Sequence, residues 1–296
     1  MKVVISGASG YIGKLASTHF EQQGYEIVPI GRIHFQWNIH DFKELLRGAD
    51  IFIHLAGAPI LKRWTGSYKK VLYSSRTEPT RKIVAAFRLL KERPKIFISA
   101  SAVGIYNTSE TIHTESSTLF GDDFLSDLVK HWEAELSKID ELVDVRHSVF
   151  RLGVVLGRKS KVYKQLLLPL KLGIGGRVAK GTQGFPMIHE ADLLNAFDFV
   201  VNNPKVEGIF NLSIPKNTDN KTFTKKLAKA LKRPSFMIIP GFLLNILYGG
   251  ASVIMVKGPH VQSERLQQFG FAFNFDSADK IIKVLTNKKR KKQEKP

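Results

Sequence analysis

Residues 3–13 read VVISGASGYIG, and this stretch decides the fold of the 296-residue chain. An apolar strand runs directly into three evenly spaced glycines, and an apolar helical face follows over residues 11–23. In this context Gly7 makes a tight turn, Gly10 lets the backbone approach a pyrophosphate, and Gly13 lets the helix pack on the sheet. The alternative is a glycine-rich turn with only a packing role. The residues predicted to contact a dinucleotide here are Gly7, Ser9, Gly10, Tyr11, Ile12 and Gly13.

Downstream of this loop, short apolar strands alternate with helical patterns as far as about residue 214. Such alternation predicts an α/β protein with a Rossmann-type, doubly wound parallel sheet. One long helix is expected near residues 68–92, with a kink or break at Pro79. The expected units are a dinucleotide-binding domain over 1–214, in which 156–190 contribute to a substrate cleft, a small and mainly helical C-terminal lobe over 215–286, and a basic flexible tail over 287–296.

Composition excludes several classes of site. The chain has no cysteine, so disulfides, thiolate zinc sites, iron–sulfur clusters and a cysteine nucleophile are ruled out. Its nine histidines show no paired metal-ligand spacing, and no metal is predicted. The opening residues MKVVISGASG are too short and glycine-interrupted for a signal peptide, which predicts a cytoplasmic protein.

The formal net charge is +19, of which the last ten residues carry +5. The remaining +14 is expected to be spread over the folded part. Such a charge attracts nucleic acid or anionic lipid weakly, suits a phosphorylated ligand, or is simply a basic background with a solvated tail. No nucleic-acid-binding motif is present, so specific binding of nucleic acid is not expected.

Residues 237–256 form the most apolar stretch of the chain, but Pro240 and the Gly249–Gly250 pair interrupt it. A continuous membrane-spanning helix would be broken in its middle there. The stretch therefore predicts two short buried helices rather than a membrane span.

The end of the second strand indicates which dinucleotide binds. A carboxylate there would hold the ribose 2′-hydroxyl of NAD, but the sequence EIVPIGRIH places Arg32 after the strand instead. A guanidinium pairs in a bidentate manner with a 2′-phosphate, so NADP(H) is the predicted cofactor. The alternative is an ordinary surface arginine.

Further motifs follow in a characteristic order. They are HLAGAPILKRW (54–64), SSR (74–76), FISASAVGIY (97–106), DFLSDLVKHWE (123–133), RLGVVLG (151–157), GIGG (173–176), MIHEADL (187–193), FNLSIP (210–215) and LQQFGFAFNF (266–275). With these motifs the chain resembles the nucleoside-diphosphate-sugar epimerase-like family of atypical short-chain dehydrogenase/reductases, commonly labelled "epimerase family protein". The resemblance covers nearly the whole chain except the basic tail.

The resemblance implies roles for specific residues. Leu55, Ala56 and Gly57 would pass under the adenosine side of the cofactor. Ser99 would contact the cofactor, and Ser101 matches the hydroxyl that orients a substrate carbonyl, although both serines are equally compatible with capping or packing at the strand end.

The superfamily's tyrosine–lysine pair is missing. No tyrosine of the chain has a lysine four residues later, and Ser126 stands four residues before Lys130. Tyr106 is a weaker catalytic candidate with a structural alternative. The candidate substrate contacts are Arg63, Trp64, Arg76 and His189. Trp64 either stacks on a ligand or anchors its loop, and His189 has a structural alternative.

The sequence is compatible with two functions. One is an NADP-dependent oxidoreductase or epimerase-like enzyme acting on a carbonyl or nucleotide-sugar-like small molecule. The other is a non-catalytic NADP(H) sensor. Either would be a monomer or a homodimer.

Overall fold

The computed structural model describes residues 1–287, so the predicted tail lies outside the described residues except for Asn287. The strands are β1 Lys2–Ser6, β2 Glu26–Ile30, β3 Ile51–His54, β4 Ile96–Ala102, β5 Ile112–His113, β6 Arg146–Leu152, β7 Val154–Leu156, β8 Gly176–Val178, β9 Met187–His189, β10 Gly208–Leu212, β11 Met237–Ile239 and β12 His260–Val261. The α-helices are α1 Tyr11–Gln22, α2 Ile39–Leu46, α3 Gly66–Leu89, α4 Phe124–Leu136, α5 Lys161–Lys171, α6 Glu190–Asn202, α7 Asn220–Ala230, α8 Gly241–Tyr248, α9 Val253–Val256, α10 Arg265–Gln268 and α11 Ala278–Thr286.

Six parallel strands form the central sheet in the order β10-β6-β4-β3-β1-β2. The chain winds outward from β1 to β2 and then returns across β1 to β3, so the direction of winding reverses beside β1. In an open α/β sheet, ligands bind in the crevice outside the carboxyl ends of the strands at such a point. The predicted fold class, a doubly wound α/β sheet, is confirmed.

Each face of the sheet buries its own apolar layer. Ile5 and Phe210 pack with Phe20 of α1 and Phe197 of α6 on one face. On the other face the layer includes Phe52, Phe87, Phe97 and Trp132, contributed by β3, α3, β4 and α4. Helices therefore cover both faces, which explains why β3 is buried along its whole length.

Of the two alternatives expected at Pro79, a kink or a break, the break is wrong, since α3 continues as one helix through this residue. Proline removes a single backbone donor from the helix. Buried Leu72 before it and buried Ile83 and Phe87 after it anchor the two halves in separate apolar clusters. Tertiary packing thus holds the helix continuous.

A second apolar core lies beyond the sheet. It joins α5, α7 and α11 through Tyr163, Phe223, Leu227 and Ile281, and β8 pairs in parallel with β11. This lobe therefore includes residues from the 156–190 region as well as from the C-terminal part of the chain. The boundary at 214/215 stays a prediction.

The break expected within residues 237–256 is present, because Gly249 adopts a φ of +56° between α8 and a 3₁₀ turn. The expected burial is wrong: in α8 only Leu244 is buried, and Phe242, Ile246 and Leu247 are exposed. Within residues 1–287 no helix is long and apolar enough to cross a membrane.

A buried histidine couples stability to pH. His54 Nδ1 lies 2.6 Å from the Ser6 hydroxyl, and Nε2 lies 3.0 Å from the Thr80 hydroxyl. Because Thr80 donates its proton to the Arg76 carbonyl, Nε2 donates to Thr80 and Nδ1 accepts from Ser6, which is the neutral imidazole. Burial, helped by the nearby His147, lowers the pKa of His54 to about 3.

We expect acid to destabilise the protein through this group. The unfolded chain binds a proton at His54 below about pH 6.5, whereas the folded protein does not until about pH 3. The contribution of buried, neutral His54 to the free energy of unfolding is therefore present above pH 6.5. It is lost as the pH falls, by about 2 kcal/mol between pH 6.5 and pH 5. Urea unfolding of the wild type and of His54→Gln measures this, since the variant should lack that part of the slope. Equal slopes would contradict it.

Candidate functional site

The glycine loop lies between β1 and α1. The Gly7 amide donates to the Ile30 carbonyl at 3.0 Å, and Gly7 adopts a φ of +73°. A Cβ at Gly7 would lie 2.6 Å from the Leu55 carbonyl oxygen, and one at Gly13 would lie 2.3 Å from the Gly7 carbonyl oxygen. Only glycine therefore fits where the turn, the neighbouring strand and the helix approach each other.

The start of α1 is open toward this loop. Gly10 occupies the N-cap position and has no side chain that could cap the helix, and the first turn of α1 contains no acidic residue. The first amides of a helix lack intrahelical acceptors, and the helix dipole favours negative charge there. This end of α1 is thus suited to a phosphate group.

A crevice of about 850 Å³ opens at the carboxyl ends of β1, β2 and β3. It brings together seven of the predicted cofactor residues, namely Gly7, Ser9, Gly10, Arg32, Leu55, Ala56 and Gly57. Tyr11, Ile12 and Gly13 lie in the first turn of α1 behind the loop and do not line it. Several further lining residues were not predicted from the sequence, including Phe35, Gln36, Lys62, Tyr68, Ser74, Ser75 and Glu78. Three of them lie in motifs already quoted, Lys62 in HLAGAPILKRW and Ser74 and Ser75 in SSR, and Phe35 and Gln36 come soon after Arg32.

Arg32 begins a 3₁₀ turn, Arg32–Gln36, at the outer end of the crevice. The turn is fixed by the Gly31 amide, which donates to His34 Nδ1 at 2.9 Å. Arg32 is exposed, and within the described chain no carboxylate forms an ion pair with it. Its guanidinium is therefore available to an anionic ligand.

The Tyr11 side chain reaches α6, where its hydroxyl donates to the Glu190 carboxylate. Burial raises the pKa of Tyr11, and the hydrogen bond and charge of Glu190 raise it further. This contact ties α1 to the beginning of α6.

Ser99 is not brought to the crevice. It is fully buried within β4, and its hydroxyl lies 3.0 Å from His147 Nε2 on β6. In this structure its contact is therefore with the neighbouring strand.

Ser101 and Tyr106 belong to one buried polar network. The Ser101 hydroxyl donates to Glu133 Oε1 at 2.5 Å, and Arg151 pairs with the same carboxylate through Nε at 2.8 Å and Nη2 at 2.6 Å. Arg151 Nη1 donates to the Tyr106 oxygen at 2.8 Å, and the Tyr106 hydroxyl donates to Asn211 Oδ1 at 2.9 Å. The network thus joins α4 to the carboxyl ends of β4, β6 and β10.

Burial and the hydrogen bonds of the network shift the pKa values of Arg151 and Tyr106. Burial by itself would lower the pKa of Arg151, but the hydrogen bonds and charge of Glu133 raise it above its usual range. Burial raises the pKa of Tyr106, although Arg151 and Asn211 oppose the shift. The Tyr106 hydroxyl is therefore protonated at neutral pH.

The position of the missing tyrosine–lysine pair is also occupied by structural contacts. The Ser126 hydroxyl is buried and donates to the carbonyls of Ile105 and Gly121, and Lys130 Nζ donates to the Gly121 carbonyl at 2.7 Å. These two residues fix the loop that precedes α4.

None of the four predicted substrate residues lines the crevice beside the glycine loop. Arg63 Nη1 donates to the Ile246 carbonyl at 2.6 Å, and Trp64 is buried, with its indole donating to Ile60 and its ring beside Phe124. Of the two roles proposed for Trp64, the contacts seen here are those of an anchor for its loop.

Arg76 lies behind the crevice, where its guanidinium donates to the carbonyls of Leu72 and Ala58. Burial lowers the pKa of Arg76 to about 10, and the group stays charged at neutral pH. A Cβ at Gly57 would lie 3.2 Å from its Cζ, so Arg76 supports the crevice wall from behind.

His189 caps the start of α6. Its Nδ1 accepts from the Ala191 amide at 3.2 Å, and its ring packs on Phe275 at a centroid distance of 4.1 Å.

A second cavity, of about 540 Å³, lies between residues 108–110, 179–183 and 256–260. It includes Lys180 and Lys257, and it draws on the 156–190 region predicted to contribute to a substrate cleft. Within residues 1–287 no group of three or more acidic or histidine side chains is placed to hold a metal ion.

This chain is similar to known proteins in both sequence and fold. The profile of the NAD dependent epimerase/dehydratase family matches residues 3–213. Epimerase family protein YfhF of Bacillus subtilis is 32% identical over 298 residues, covering 96% of this chain and 98% of that protein. Epimerase family protein SDR39U1 of Bos taurus is 31% identical over 293 residues, covering 96% and 99% of the two chains.

A solved structure is similar over the same length. Human epimerase family protein SDR39U1, isoform 2, crystallised with NADPH, matches with a TM-score of 0.85 and 27% identity, covering 97% of this chain and 99% of that chain. Sequence and fold agree over nearly the whole chain, which therefore belongs to the NAD dependent epimerase/dehydratase family as an epimerase family protein of the atypical short-chain dehydrogenase/reductase type.

Proposed function

We propose that this chain binds NADP(H) in the crevice beside the glycine loop. We further propose that it acts as an NADP-dependent oxidoreductase or epimerase-like enzyme on a carbonyl or nucleotide-sugar-like small molecule. The observation that carries the proposal is the 850 Å³ crevice, where the uncapped start of α1, the close-approach glycines and the unpaired Arg32 meet. The NADPH in human SDR39U1 supports the same cofactor for this chain.

The residues of the crevice fit such a dinucleotide. The space that a Cβ would fill at Gly7 and Gly13 is taken by backbone, so the loop stays close to α1 and leaves the helix amides for the pyrophosphate. Leu55, Ala56 and Gly57 form the wall beside it, and Arg32 would hold the 2′-phosphate. When bound, the nicotinamide supplies hydride transfer.

Arg32 gives the cofactor preference. We expect NADPH to bind at least about tenfold more tightly than NADH, which is about 1.4 kcal/mol. Arg32→Ala removes the bidentate partner of the 2′-phosphate and should abolish the preference while leaving NADH affinity unchanged. Titration of intrinsic tryptophan fluorescence with both dinucleotides measures this. The exposed Arg47→Ala serves as the control, and an unchanged preference in Arg32→Ala would count against the role.

Turnover separates this function from the second one. The specific observation that favours a non-catalytic NADP(H) sensor is that the hydroxyls of Ser101 and Tyr106 are both engaged within the Glu133–Arg151 network. General acid–base catalysis contributes about 10²–10⁴-fold in rate. If neither hydroxyl supplies it, any enzyme activity would be slow and would rely on the positioning of substrate and cofactor.

The test is to identify the dinucleotide that co-purifies with the protein and to screen carbonyl substrates for NADPH oxidation. Turnover that Ser101→Ala abolishes without loss of NADPH affinity supports the enzyme. Tight NADPH binding with no oxidation across a broad panel supports the sensor.

A further inference from the structure

The C-terminal lobe exposes a concentrated apolar surface. Within residues 1–287, twenty large apolar side chains are exposed, and seven of them fall within the twelve residues 236–247. We call these seven the lobe patch: Phe236, Met237, Ile238, Phe242, Leu243, Ile246 and Leu247. Phe236 is 78% exposed and Leu247 is 66% exposed. Single exposed apolar residues are normal on a soluble protein, whereas a contiguous group of this kind marks an interaction surface.

The backbone fixes the lobe patch in place. Pairing of β11 with β8 sets Met237 opposite Gly176, two residues beyond exposed Ile174. Arg63 holds the Ile246 carbonyl, and Trp64 forms a bridge to Gly249. The apolar face of α8 is therefore presented outward by a braced helix.

The folded part's net charge lies in the same lobe and is not spread over the chain as expected. Residues 1–287 contain 39 lysines and arginines and 25 acidic residues, a net charge of +14. Together the segments 158–189 and 220–263 contain fourteen lysines and arginines and no acidic residue. Their charge of +14 equals the entire net charge of residues 1–287. The remainder of residues 1–287 is electrically balanced.

Several of these cations border the lobe patch. Lys232 and Arg233 precede Phe236 by a few residues, and Arg177 pairs in register with Ile238. Lys226 is neutralised by Asp279, but none of the carboxylates of residues 1–287 forms an ion pair with Lys232, Arg233 or Arg177. The apolar patch is thus edged by unpaired positive charge.

We propose that the lobe patch docks this protein on the surface of an anionic phospholipid bilayer, as a peripheral protein. The exposed face of α8 and the adjoining strand would insert their apolar side chains at the acyl boundary, and the surrounding lysines and arginines would contact the headgroups. Anionic headgroups attract basic side chains that lie near the membrane surface. Each such side chain adds to the free energy of binding without needing a specific contact. The proposal does not depend on the cofactor.

Charge is what favours a bilayer over a second copy of this chain. A two-fold interface would place two lobes of about +14 each against one another, and no carboxylate in 158–189 or 220–263 would offset the repulsion. An anionic membrane complements both the apolar side chains and the positive edge.

Co-sedimentation of the full-length protein with vesicles tests the proposal. With vesicles of about one-third phosphatidylglycerol in phosphatidylcholine, we expect binding at least about tenfold stronger than with phosphatidylcholine alone. Raising the salt from about 50 mM to about 500 mM should weaken binding by about tenfold or more. Phe242→Gln, Ile246→Gln and Leu247→Gln together should weaken it by at least about tenfold.

A matched variant replaces three exposed apolar residues elsewhere, Leu89→Gln, Leu119→Gln and Val143→Gln, and should bind as the wild type does. A third full-length variant carries glutamine at each basic position of residues 288–292, and it should keep most of the binding. Circular dichroism and thermal unfolding confirm that each variant is folded.

Three results would overturn the proposal. The first is equal binding to neutral and anionic vesicles. The second is binding that the glutamine substitutions at 288–292 abolish and the α8 substitutions leave intact. The third is absence of vesicle binding together with a dimer, seen by sedimentation velocity, that the α8 substitutions dissociate.

Discussion

Replacing Glu133 by alanine is expected to lower the free energy of unfolding by about 3–5 kcal/mol. The Glu133 and Arg151 side chains are only 13% and 5% exposed, and two hydrogen bonds join them. Without the carboxylate, the guanidinium would remain buried and charged, and among residues 1–287 Tyr106 would be its one remaining side-chain acceptor. An uncompensated buried charge is among the few causes of so large a loss.

Urea denaturation measures the effect of Glu133→Ala, and an exposed pair supplies its control. Glu44 and Arg47 form an ion pair with side chains 49% and 73% exposed, and Glu44→Ala should cost less than about 0.5 kcal/mol. Glu133→Leu combined with Arg151→Met should recover much of the loss, because a buried ion pair is replaceable by apolar side chains. A loss below about 1 kcal/mol in Glu133→Ala would contradict the account.

The second large effect is expected at Gly7. Gly7→Ala should weaken NADPH binding by at least about 100-fold, or about 2.7 kcal/mol. Its Cβ would lie 2.6 Å from the Leu55 carbonyl oxygen and 2.9 Å from the Ala56 amide nitrogen, so the loop or the crevice wall must move. Both line the proposed dinucleotide site, and displacement of either would disturb the approach to the phosphates.

Gly24 offers a matched control for the backbone conformation. It has a φ of +83°, similar to that of Gly7, but a Cβ there would meet no atom within 4 Å. Gly24→Ala should therefore cost only the strain of a left-handed residue, about 1–2 kcal/mol of stability, and leave NADPH affinity unchanged. Calorimetric titration of both variants measures the difference, and equal affinities would show that the close approach at Gly7 is unimportant.

The fold was largely predictable because its signals are local. Apolar strands alternate with amphipathic helices along the chain, and each glycine of VVISGASGYIG meets a steric demand within a few residues or across one strand. The position of the crevice was predictable for the same reason, since the loops after β1, β2 and β3 end at one edge of the sheet, but of its lining only residues of the glycine loop, Arg32 and residues 55–57 were predicted.

Other features could not be predicted because they depend on distant contacts. The Tyr106 hydroxyl meets Asn211, which lies 105 residues away, and Ser101 meets Glu133 on a different element. Propensity predicts a kink or a break at Pro79, but packing on both sides of the proline keeps α3 one unbroken helix. Hydrophobicity predicts burial for residues 237–256, whereas only the lobe's arrangement shows that α8 presents its apolar face to solvent.

Hydrogen exchange of the full-length protein with and without NADPH tests the central claim most directly. If NADPH binds in the crevice beside the glycine loop, hydrogen exchange should slow in residues 7–13, 31–36 and 55–59 when NADPH is added. NADH at equal concentration should have a smaller effect. Unchanged exchange in these segments would contradict the account, as would protection confined to residues 179–183 and 256–260 beside the second cavity.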